Sequence, residues 1–173
     1  MKKQNLFIFA LILLAIASRL IPHPANFAPI GALAIFAGAY LRDRRSILIV
    51  LAAMLISDII IGFYHPMIML SVYGGFAIMY FISRHTLRTV NFARVLSTTL
   101  TGSILFYIIT NFAVWAFGTI YPHSLSGLIA SYTMALPFFR NSLAGDLFYT
   151  GALFSAVELA KYSRIFAVDK YRT

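Results

Sequence analysis

Hydrophobic runs long enough to be membrane helices, separated by short polar turns, set the pattern of this chain. A spanning helix needs about 20 mainly apolar residues, and the runs predict six of them, at about 5–22, 28–41, 46–63, 67–83, 93–118 and 141–161. The second run is short. Between the fifth and sixth lies "SLSGLIASYTMALPFFRN", apolar but interrupted by Gly127 and Pro137. Those two residues predict a short outer helix or re-entrant segment before the last span, with its free backbone groups facing protein or water. The first run, "MKKQNLFIFALILLAIAS", has the basic start and apolar centre of a secretory signal peptide. A retained first helix is expected instead, because the charge pattern works only if that helix is counted. The fold class that follows is an all-α integral membrane protein, a six-helix bundle forming a single domain over residues 1–173.

Composition supports this class. The chain is 61% hydrophobic and only 11% charged, where soluble domains carry about 25% charge. The net charge of +9 would suggest a nucleic-acid partner in a soluble protein. Its distribution argues against one. Lys2 and Lys3 precede the first span; Arg42, Arg44 and Arg45 fill one turn; Arg84, Arg88 and Arg94 fill another; Lys161, Arg164, Lys170 and Arg172 follow the last span. With six spans, these 12 of the 14 basic residues fall on one side. The positive-inside rule makes that side cytoplasmic, with both termini inside a bacterial inner membrane. Topology thus accounts for the basic excess without nucleic acid.

Several polar residues lie outside that explanation. Asp58 stands deep in the third run. At the helical rise it is about 18 Å from the inner start, beyond the bilayer midplane. Asp146 lies about one turn below the outer start of the sixth. Asn111 and Trp115 are four apart and share a helix face in the outer half of the fifth. Arg19 and Arg140 are the two basic residues left over, at the outer ends of the first and sixth runs. Charges inside a membrane cost about 2.5–3.5 kcal/mol each on insertion scales, so they usually face the protein interior and find partners. Ion pairs between these acids and arginines are expected, either fixing helix register or serving a site. With Asn26 they make an outer polar ensemble that suits capture of a small polar or amphipathic ligand. The candidate binding residues are Arg19, Asn26, Asp58, Asn111, Trp115, Arg140 and Asp146.

Other chemistry is thin. Without cysteine there is no disulfide, thiol catalysis or thiolate metal site. His23, His65 and His123 sit beside prolines in outer turns, and three converging imidazoles would hold a transition metal. Their loops are far apart, so ordinary turn residues are the simpler reading. No Walker A loop, G-x-S-x-G elbow or H-E-x-x-H helix occurs, so neither an enzyme nor a cofactor is indicated. Small residues Ala34 and Gly38, and Ala156 and Ala160, form small-xxx-small pairs that allow helices to pack closely.

The stretches "RLIPHPANFAPIGALAIFAGAY", "LISDIIIGFY", "ITNFAVW", "YPHSLSGL" and "ALPFFRNSLAGDLFY" are spread over nearly the whole chain. Together they resemble an uncharacterised family of small bacterial inner-membrane proteins. That family is similar, more distantly, to the substrate-binding S components of energy-coupling factor transporters. The resemblance implies a six-helix fold binding a vitamin-like molecule or metal ion at its outer face. It also implies docking to a transmembrane coupling subunit with ATPases, although some S components work alone. On this reading the proline elbow carrying Asn26 forms one wall of the ligand site. The expected function is solute binding for import; the alternative is a non-transporting scaffold in envelope assembly.

Overall fold

The computed structural model describes residues 3–19, 24–41 and 44–162. Within them the chain is largely helical: α1 (Lys3–Arg19), α2 (Ile30–Tyr40), α3 (Ile47–Ile61), α4 (Pro66–Thr86), α5 (Phe92–Phe117) and α6 (Leu125–Tyr162), with a 3₁₀ turn at Arg44–Ser46. Of these, α4, α5 and α6 are long and apolar enough to cross a membrane. On α3, Ile59, Ile60 and Ile61 are largely exposed. Such an apolar exterior suits lipid rather than water.

The short second helix is the centre of the bundle. Residues Ala32 to Ala37 have no solvent exposure, because α2 is apolar on every side and is packed by α1, α3, α4, α5 and α6. It has 11 residues. That length spans only about 16 Å, roughly half a bilayer core. Gly38 brings α2 against α4, since a Cβ there would overlap the Tyr80 backbone carbonyl. Ser83 of α4 donates to the Ile35 carbonyl at 2.5 Å. The Ala34/Gly38 pair therefore serves internal packing, on a helix with no free face for a partner.

At one end of the bundle, α4 also holds the α2–α3 connection. Tyr80 and Ser46 share a hydrogen bond of 2.7 Å, and Arg84 donates to the Leu41 carbonyl at 3.1 Å. This end carries Arg45, Arg84, Arg88, Arg94 and Lys161. At the opposite end α2, α4 and α6 begin, and α3 and α5 finish.

One expectation is corrected. Residues 124–141 are not a separate outer segment; most of them form the first part of α6, a helix of 38 residues. Its full length is about 57 Å. Gly127 stands in its first turn, where its N–H bonds the Ser124 hydroxyl at 3.2 Å. Ser124 thus caps the helix. Pro137 lies inside it, at the cost of a single backbone donor, which a helix packed among others tolerates. The second half of α5 and the first half of α6 then run side by side. Tyr107 donates to the Tyr132 carbonyl at 2.6 Å, and Tyr132 in turn donates to the Ile108 carbonyl at 2.9 Å.

Candidate functional site

A cavity of about 450 Å³ lies toward the end of the bundle where α2 and α4 begin and α3 and α5 finish. That volume falls within the range of small-molecule sites. One wall is the proline elbow. Pro24 to Phe27 make a tight turn closed by the Phe27 N–H on the Pro24 carbonyl at 2.9 Å. Asn26 takes a positive φ of 63 degrees there, a backbone region Asn tolerates better than most residues. The Asn141 amide donates to the Ala25 carbonyl at 3.0 Å and ties the turn to α6. Gly145 lets α6 approach the elbow, because a Cβ there would lie 3.2 Å from the Phe27 Cα. Phe27 packs on Phe148 and Tyr149 with ring centroids 5.9 and 5.6 Å away. Asn26 and Ala28 both line the cavity.

Two carboxylates line the same space. Asp146, 7% exposed, accepts the Ser103 hydroxyl at 2.6 Å. It lies against the first turn of α2, where Gly31 leaves the room: a Cβ would overlap the carboxylate. The first N–H groups of α2 are the positive end of its dipole, which favours an anion beside them. Asp58, 4% exposed on α3, accepts the Tyr73 hydroxyl at 2.8 Å. The remaining wall is mainly apolar, part aliphatic and part aromatic. Phe76 packs on Phe106 with centroids 4.6 Å apart, and Tyr107 on Phe139 at the same distance. Thr110, Asn111 and Ser142 add polar groups. No lysine, arginine or histidine lines the cavity among the described residues.

Of the residues singled out from the sequence, Asn26, Asp58, Asn111 and Asp146 thus meet in one cavity. The Asn111 amide donates to the Tyr107 carbonyl of its own helix at 2.8 Å. Trp115 does not line the cavity; its indole N–H points to the Pro122 and Ser124 carbonyls at 3.1 and 3.2 Å and fastens the α5–α6 turn. Arg140 is exposed on α6. Among the described residues, the partner of Asp146 is a serine of α5, not the expected arginine. The side chain of Arg19, and His23, lie outside the described residues. His65 precedes α4 and His123 sits 6.1 Å from the Trp115 ring; both are exposed, and neither lines the cavity. No group of three or more metal-ligating side chains occurs among the described residues.

Sequence reasoning missed Gly31, Tyr73 and Ser103, which hold the two carboxylates. Ser103 and Gly31 carried no signal, being small residues of the kind every packed helix uses. Tyr73 had one: it is a polar tip in the middle of an apolar helix.

The model of the DUF6580 family, a family of unknown function, matches residues 1–168, and the chain belongs to that family. Neither curated proteins nor solved structures give a match, so no similarity to energy-coupling factor S components is found.

Proposed function

We propose that this DUF6580 protein is a multi-pass protein of the bacterial inner membrane that binds a small solute in the cavity and takes part in its import. The observation that carries the reading is the convergence of Asn26, Asp58, Asn111 and Asp146 on one cavity, walled in part by aromatic side chains. The ends of the bundle are also unlike. The cavity lies toward one, and Arg45, Arg84, Arg88, Arg94 and Lys161 gather at the other, which the positive-inside rule assigns to the cytoplasm. On that assignment the cavity faces outward and both termini lie inside. Release toward the cytoplasm requires a conformational change, since the largely buried α2 is packed at the centre of the bundle. A coupling subunit with ATPases, the partner expected from the sequence reading, would drive it. The chain carries no Walker A loop of its own.

Native mass spectrometry of the gently purified protein, with elemental analysis of the same sample, tests this reading. A bound organic molecule or metal ion supports it. An empty protein carrying a stoichiometric protein partner, with no uptake defect in a deletion strain, overturns it in favour of a scaffold.

A further inference from the structure

The cavity has a charge character as well as a size. Its two titratable acids, Asp58 and Asp146, are more than nine-tenths buried, yet both border the open space. Each has a hydroxyl donor, Tyr73 or Ser103. No basic side chain lines the cavity among the described residues. Aromatic rings line the same cavity, among them Phe76 of α4 and Phe106 and Tyr107 of α5. A carboxylate held in an apolar surround attracts a compensating cation. Aromatic faces attract the same charge through their quadrupole and repel an anion. A bare metal ion fits poorly: such ions take several ligands at short range, and no cluster of three is present among the described residues. An organic cation satisfies both features, its charge at the acid and its apolar body on the rings.

We infer that the cavity takes an amphipathic organic cation, a protonated amine on an aromatic or aliphatic body, with Asp146 as its counter-charge. The inference rests on the solute-binding reading and names the class of solute. Ser103 and the first turn of α2 position the Asp146 carboxylate; Phe76 and Phe106 contact the ligand body.

Three probes with one ring system and different charge test it: tryptamine, tryptophol and indoleacetate, titrated by calorimetry against the full chain in nanodiscs, with empty nanodiscs subtracted. Tryptamine is expected to bind about tenfold or more tighter than tryptophol, the difference a charged hydrogen bond makes. Indoleacetate should give no saturable heat. In Asp146→Asn the preference for tryptamine over tryptophol should collapse, while tryptophol binding is retained. Equal binding of tryptamine and tryptophol by the wild type, or tighter binding of indoleacetate, overturns the cation inference and leaves a solute site standing. Absence of saturable binding by all three probes overturns the cation inference too, while the solute-binding reading stands or falls by the mass-spectrometry result. The comparison of probes on the wild type does not depend on any variant folding.

Discussion

Ser103 of α5 donates its hydroxyl to the Asp146 carboxylate of α6 at 2.6 Å, across a sequence separation of 43 residues. This bond joins the two long helices at the point where Asp146 meets the first turn of α2. The same carboxylate borders the cavity. Structure and site therefore share a residue pair. Ser103→Ala is expected to destabilise the protein by about 1–3 kcal/mol, because a buried acceptor loses its donor. Thermal unfolding in detergent measures it. Ser103→Thr, which keeps the hydroxyl, should lose less; equal losses would mean that packing and not the bond matters at this position.

The glycines of α2 offer a sharper contrast. A Cβ on Gly38 meets the Tyr80 backbone carbonyl, which is fixed within α4. Gly38→Ala should cost about 1–3 kcal/mol by overpacking. A Cβ on Gly31 meets only the end of the Asp146 side chain, which has the cavity to move into. Gly31→Ala should therefore fold but displace the carboxylate, with a larger loss in tryptamine affinity than in stability. Gly74 of α4 has open space around it, so Gly74→Ala serves as the control and should be neutral or slightly stabilising. Thermal unfolding of the three variants, with tryptamine titration of Gly31→Ala, checks the order.

Asn111 and Trp115 lie on one helix face, yet the structure gives them different work. Asn111 borders the cavity, and its amide bonds within α5. Asn111→Ala should lower tryptamine affinity and leave the unfolding temperature nearly unchanged. Trp115 closes the α5–α6 turn through the Pro122 and Ser124 carbonyls. Trp115→Phe should do the reverse, lowering stability by about 1 kcal/mol for a lost hydrogen bond while sparing affinity. If Trp115→Phe abolishes binding and Asn111→Ala does not, these assignments are exchanged.

Legibility in the sequence followed the size of each signal. The long, mainly apolar runs at 67–83 and 93–118 predict α4 and α5 to within a few residues. The break expected before residue 141 rested on Gly127 and Pro137, residue types that often end helices in water. In the fold Gly127 meets the capping Ser124, and Pro137 removes one donor from a helix already held by α5. Acids and amides in apolar runs stand out, so Asp58, Asn111 and Asp146 were readable as members of a polar ensemble. Position along the helix was harder to read. Trp115 shares a face with Asn111 but sits one turn nearer the helix end, where the turn, not the cavity, receives its N–H. Which helices would meet was not readable from spacing: α2 became central because every side of it is apolar, and that brought Gly31 to Asp146.

Orientation can be tested directly, because the chain has no cysteine of its own. A single thiol introduced at His123, exposed in the α5–α6 turn, should react in intact cells with a maleimide that cannot cross the membrane. A thiol introduced at Arg88, exposed in the turn between α4 and α5, should react only after the cells are opened. The expectation rests on Arg84, Arg88, Arg94 and Lys161 lying at the same end of the bundle, since basic residues are retained on the cytoplasmic side. Neither position lines the cavity, so both variants should keep tryptamine binding and report topology alone. Labelling of the thiol at position 88 and not at 123 in intact cells would turn the cavity toward the cytoplasm. Solute capture from outside would then fail, and the same cavity would have to serve export or sensing of an internal solute.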